Sequence, residues 1–430
     1  MCKRTIVAVL LLLSLLAGCG NPAPKAGAVR EERRTPELLA AVPSDALAVL
    51  CFDRCAEGMR LYDSTSVLAQ LNLSAFKNAR MALSLCYNGS LVPVLALDCG
   101  RAEADSASAV SILRAQAAQL RLHTDFFPAD KEAGRPGLIV ITPSEAQLTA
   151  VRRHLGGYAS ILDAPGFRSA LTAAASSNFI IFRNSGAERL APKGWLQDYF
   201  PRRSLTAFLS TFADWTVLTP KDGGFAIRPV CGAGDSYYAN ILGSLPPADS
   251  RLETILPRDT RFAMTLPVSN PQLRQAVERY QDASVRLTRY RQALDGLKDA
   301  AGKDPLLWEK ELDIREVALV RFDGGTVALA RPAKAATEHE PAANTRRGFL
   351  PALYGSAFAL PDDNTAATYG GWHVFGAEND VRAFLEAERP GKDEPRIGLP
   401  GRGCRFLLYQ PEKTLAWGRK GIDLTWNSTQ

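Results

Sequence analysis

Histidine is scarce in this chain. Its four copies, His123, His154, His339 and His373, stand far apart, and no two share a helix face at metal-ligand spacing. Glu338-His339-Glu340 brings three ligand types together, but three consecutive side chains cannot all converge on one ion. No metal and no cofactor is therefore expected. Several enzyme signatures are missing too: there is no GxSxG elbow, no Walker loop, no HExxH and no GxGxxG fingerprint. Beyond Ala17 no uncharged apolar run reaches the ~18 residues of a membrane span. Positive charge is not concentrated either. The densest basic spot, Arg30 with Arg33 and Arg34, contains Glu31 and Glu32, so nucleic acid is set aside as a partner.

What the chain does have is a marked N-terminus. Lys3 and Arg4 precede the apolar segment Ile6–Ala17, 12 residues long. As a helix this rises only ~18 Å, short of the ~30 Å hydrocarbon core, so it reads as a signal and not a span. It ends in Leu16-Ala17-Gly18-Cys19. With its small residues before the cysteine, the segment resembles a bacterial lipoprotein signal closing in a lipobox. That resemblance implies removal of residues 1–18 and a lipid, such as palmitate, on Cys19. The mature chain would then have 412 residues, with 49 basic against 45 acidic side chains. It would be held to a bacterial membrane by the lipid alone, in the cell envelope and facing the periplasm. Residues 19–36, rich in Pro, Ala, Gly and charge, read as a flexible tether.

Without Cys2 and Cys19, six cysteines remain: Cys51, Cys55, Cys86, Cys99, Cys231 and Cys404. Cys51 and Cys55 lack a second pair to complete a zinc site. An exported chain permits disulfides, and Cys55 with Cys99, both at strand ends, is the expected pair.

Two stretches of the chain run in the same order. In the first, Val42-Pro43-Ser44-Asp45 leads into a strand at Ala46–Phe52. A hairpin follows over Arg80–Asp98, turning at Asn88-Gly89. After it come a helix near 105–122, a strand Leu138–Ile141, a capped helix near 143–155 with Thr142 and Glu145 as its capping box, and a strand near 178–183. In the second stretch, Leu256-Pro257-Arg258-Asp259 leads into Arg261–Leu266. A hairpin turns at Asp323-Gly324, then come Trp372–Phe375 with a helix behind it and Arg405–Tyr409. The expectation is an α+β protein of two similar domains, each a mainly antiparallel sheet with helices packed on one face. The repeats are placed at 37–250 and 251–430. A long amphipathic helix at 271–300 elaborates the second, with Arg274, Arg279, Arg286, Arg289, Arg291 and Lys298 on its polar face. That face reads as solvated, with contact to acidic head groups or an acidic partner as the alternative. Residues 333–347 read as a surface loop. The paired Leu/Val-Pro-x-Asp openings resemble those of a bacterial family of exported proteins known as a domain of unknown function, a resemblance that spans about 42–425 and implies no catalytic residues.

One short motif points to chemistry. Ser74-Ala75-Phe76-Lys77 has the Ser-x-x-Lys form of penicillin-binding proteins, where lysine helps deprotonate serine on one helical turn. Its companions are missing, since no Ser-Asp-Asn follows and Lys413-Thr414-Leu415 lacks the glycine. Aromatic clusters at Trp195, Tyr199 and Phe200, at Tyr237 and Tyr238, and at Tyr369 with Trp372 suit either core packing or ligand stacking. The functional expectation is a lipid-anchored envelope protein of non-enzymatic binding or scaffolding type. It would act on an envelope protein or glycan through the cleft or surface between the repeats. The alternative is a periplasmic serine hydrolase using Ser74 and Lys77.

Overall fold

A computed structural model describes residues 37–61, 66–101, 106–130, 136–190, 211–232, 234–267, 270–336, 348–360, 362–391, 399, 401–419 and 421–427. The signal, Cys19 and the tether lie outside the described residues. In the first half the strands are β1 Ala48–Phe52, β2 Met81–Asn88, β3 Ser90–Asp98, β4 His123–Phe127, β5 Leu138–Thr142, β6 Phe179–Arg183, β7 Trp215–Lys221 and β8 Gly224–Val230. In the second half they are β9 Phe262–Pro267, β10 Ile314–Phe322, β11 Gly325–Pro332, β12 Thr365–Tyr369, β13 Trp372–Gly376, β14 Phe406–Gln410, β15 Lys413–Trp417 and β16 Ile422–Trp426.

All of them join one sheet, in the order β12-β13-β11-β10-β9-β14-β15-β16-β8-β7-β6-β1-β2-β3-β5-β4, and every neighbouring pair is antiparallel. Read outward from the centre, the halves run β8-β7-β6-β1-β2-β3-β5-β4 and β16-β15-β14-β9-β10-β11-β13-β12, which is the same order twice. The seam is the pair β8·β16, where Ala226 faces Asp423. Matching β7 to β15 and β8 to β16 by register equates these same two residues, so a pseudo-two-fold axis passes between them.

Two expectations change here. The first is the division into two domains: the halves form a single 16-stranded sheet. The reason is a pair of hairpins that extend each half to the centre, where two edges that would otherwise be open pair with each other. The second is the covering of one face only, for helices pack on both. On one face a single core runs across both halves, including Leu50, Leu83, Ile180 and Phe225 from the first and Met264, Leu319, Leu408 and Leu424 from the second. On the other face two separate cores form, one with Val49, Val140 and Ile181, the other with Val320, Leu329 and Val374. Coverage on both faces explains why β1 (Ala-Val-Leu-Cys-Phe) and β5 (Leu-Ile-Val-Ile-Thr) are apolar runs rather than alternating ones, since all five residues of each are buried.

Helices close these cores. Glu145–Leu155 packs Leu148 and Val151 on the first half, and its counterpart Glu378–Glu386 packs Val381 and Phe384 on the second. The first is capped by Ser144, whose Oγ accepts from the Gln147 amide at 3.4 Å, and not by the expected Thr142–Glu145 box. The expected long helix is two, Asn270–Ala283 and Leu287–Ala301. Between them Val285 takes a left-handed conformation (φ 56°). The Arg286 amide donates to Gln281 O at 2.7 Å and that of Val285 to Asp282 O at 2.9 Å, a Schellman-type ending. Neither glycine nor proline marks this break in the sequence.

Candidate functional site

The two separate cores leave a strip of sheet between them. Its floor is the seam, where β8 and β16 turn Ala226, Arg228, Asp423 and Thr425 to the face opposite the continuous core. Arg228, Asp423 and Thr425 are exposed. The alternating burial of Ile422-Asp423-Leu424-Thr425 is what a strand wetted on one face should show. In the first half a helix, Phe167–Ala173, closes over β7 and β8. Thr219 Oγ1 donates to Ala174 O at 2.6 Å, and Arg228 reaches Ala173 O at 3.3 Å. Between Glu386 and β14 the second half has no corresponding helix among the described residues.

A groove of about 490 Å³ opens on that side. Asp249, Arg402, Gly403, Cys404, Ala416, Gly418, Arg419, Gly421 and Asp423 line it. One wall is the link between the halves. Ala248 and Cys404 exchange backbone hydrogen bonds of 2.8 and 2.9 Å, and the Ser250 amide donates to Gly401 O at 2.7 Å. The Asp249 carboxylate accepts from the Gly403 amide at 2.8 Å. Buried Glu316 fixes this wall from below. Its carboxylate accepts from Ser250 Oγ (2.5 Å), Thr265 Oγ1 (2.7 Å), the Arg251 amide (2.9 Å) and Arg331 Nε (3.0 Å).

The opposite wall is the end of the β15–β16 hairpin. Arg405 bridges the two walls, with Nε donating to Leu245 O at 2.6 Å and Nη1 to Gly418 O at 2.9 Å. Burial, and then the neighbouring charge of Arg419, push the Arg405 pKa down from its ordinary value. Asp423 is ion-paired with Lys221 across the seam. Cys404 supplies no nucleophile, because burial first, then Asp249 and Glu316, lift its thiol to about 11.

The residues singled out in the sequence lie elsewhere. Ser74 and Lys77 are both exposed, at a single 3-10 turn spanning Ser74–Phe76, and neither lines the central groove. Cys55 and Cys99 are buried free thiols, and the expected bridge is not made. The Cys55 amide bonds Ala79 O and the Asp98 amide bonds Arg80 O, so the lead-in of β2 runs between the two cysteines. Two strand spacings amount to ~10 Å, more than the reach of a disulfide. Tyr238 packs edge-on against Tyr280 at 5.8 Å and Trp372 is buried, so these aromatics serve the core. Trp195, Tyr199, Phe200, Glu338, His339 and Glu340 lie outside the described residues. Of the basic helix face, Arg274 turns inward onto Glu309 (2.7 Å), while Arg279 pairs with Asp235 and Lys298 with Asp304. Among the described residues no three His, Cys, Asp or Glu side chains are placed to hold a metal ion. No helix among them is long and apolar enough to cross a membrane.

Sequence reasoning missed the groove because it missed β7, β8, β15 and β16. One signal was available: Asp222-Gly223 between two β-rich runs is a hairpin turn, with Gly223 at φ 72°.

No family model, no curated protein and no solved structure matches this chain. The likeness to an exported family rests on the two Pro-x-Asp strand openings alone.

Proposed function

We propose that the chain is a lipid-anchored envelope protein that binds, rather than transforms, an envelope protein or glycan, and that it does so through the central groove. Cys19 would carry the lipid, and residues 19–36 would let the body stand away from the membrane that holds it. The observation that carries this reading is the polar strip at the seam, which no described helix covers on the side of the second half. Inner strands such as β1 and β5 are buried on both faces, and here polar and charged side chains line an open groove of about 490 Å³. A hydrolase built on Ser74 and Lys77 would need a sheltered pocket, and that pair sits on an exposed turn.

Two experiments test the two parts. Cys19→Ala should move the protein from the membrane fraction to the soluble one, and full retention would remove the anchor. A photoreactive residue at Ala416, which lines the groove, should give a discrete adduct in intact cells, whereas one at Tyr158, 70% exposed on the first half, should not. Adducts at both sites, or at neither, would count against the groove.

A further inference from the structure

We infer that the groove recognises an anionic group, a carboxylate or a phosphate, carried on a polar ligand. This rests on reading the groove as the binding site. Three guanidinium groups stand at it: Arg402 and Arg419 line it and are exposed, and Arg405, behind the lining, ties Leu245 O to Gly418 O. Among the described residues no carboxylate lies within salt-bridge distance of any of the three. Arg405 spends two donors on backbone carbonyls, which leave its charge uncompensated, and the like charge of Arg419 crowds it. The two carboxylates of the groove are already engaged, Asp249 by the Gly403 amide and Asp423 by Lys221. With Asp423 paired to Lys221, three guanidinium groups therefore outweigh the single carboxylate of Asp249.

The rest of the lining suits the same ligand. Gly403, Gly418 and Gly421 leave backbone uncovered, and a side chain at Gly421 would meet nothing within 4 Å. Ala416 is a small apolar contact, and among the described residues no aromatic or large aliphatic side chain lines the groove as an anchor for a protein interface. Recognition then falls to guanidinium forks, whose planar donors match carboxylate and phosphate oxygens in pairs. The pseudo-symmetry supports this independently. Matched by register, Arg419 corresponds to Asp222 and Arg405 to Ser177, so the first half has no such cluster.

The test uses the mature chain and two probes at low ionic strength, pyrophosphate and an oligoglutamate peptide, followed by titration calorimetry. At least one should bind, and the two arms report which anion fits better. Arg402→Gln with Arg419→Gln should weaken that binding by about tenfold or more, and added salt should weaken it further. Arg291→Gln, an exposed arginine of the basic helix, should leave it unchanged. Equal affinity in the wild type and the groove variant, or no binding of either probe, would overturn the inference. Failure here is separable from failure of the proposed function: adduct formation from Ala416 without anion binding would leave a groove that binds something other than an anion.

Discussion

The two halves share their strand order but differ wherever a side chain or a connection departs from the sheet, and the clearest case is one ion pair inverted. Counting from the matched strands, Arg80 and Asp98 of the first half occupy the places of Glu316 and Arg331 in the second. Arg80 meets Asp98 at 3.0 Å and Glu37 at 2.9 Å, and Arg331 meets Glu316 at 3.0 Å. Each pair ties its half to the segment leading into it, but only Glu316 holds the link that walls the groove. The second difference is the helix Phe167–Ala173, present over the first half and without a described counterpart over the second. Together they teach that the sheet is the common frame. The groove lies where the two halves differ, beside the turn at 418–421 and the link between them.

Breaking the ion pairs should show this asymmetry most strongly. Glu316→Ala removes a fully buried carboxylate that receives four donors, so we expect a loss of about 3–5 kcal/mol in denaturant unfolding. Arg80→Ala should cost somewhat less, about 2–3 kcal/mol, because the Asp98 carboxylate it leaves behind, although buried, keeps the Gly100 amide as a donor at 2.9 Å. Equal losses would deny the second half its special anchoring.

The seam is next. Gly224 admits no side chain, since a Cβ there would lie 1.8 Å from Leu424 O. Its counterpart Gly421 has open space around the same position. Gly224→Ala should therefore cost about 3 kcal/mol by opening β8·β16. A loss below 1 kcal/mol would mean that the seam tolerates displacement.

Lys413 sharpens the comparison through pH. It takes the place of Thr216, which is satisfied by Asn184 at 2.8 Å, and both positions are buried. Burial depresses the Lys413 pKa to about 8 from 10.5, only partly opposed by Glu412. Between these values the unfolded chain holds more protons than the folded one, so stability should rise with pH across the window. Lys413→Met should add about 1–3 kcal/mol at pH 7 and abolish that rise. Unchanged pH dependence would contradict the assignment. The smallest effect is expected at Val285, 94% exposed and left-handed, where Val285→Gly should stabilise by about 0.5–1 kcal/mol.

Most of the sheet was legible in the sequence. The Asn88-Gly89 and Asp323-Gly324 hairpins, the Pro-x-Asp openings and the strand–helix units at 138–155 and 372–386 all stand where turn chemistry and periodicity put them. The edge strands β4 and β12 were not anticipated, since His-Thr-Asp-Phe-Phe and Thr-Ala-Ala-Thr-Tyr carry little apolar alternation. The continuous runs at β1 and β5 already implied cover on both faces, a reading the one-face expectation overlooked. The groove was hidden for a different reason. Its cations lie on two segments far from the link in sequence, 401–405 and the 418–421 turn, and only the fold sets both against the segment that joins the halves.

Hydrogen exchange of the mature chain, with and without solubilised envelope material, tests the central claim most directly. We predict protection on binding over residues 401–405 and 416–425, with none over the matching turn at 221–224. Protection equal in both halves, or confined to surfaces away from the seam, would contradict the groove as the working site.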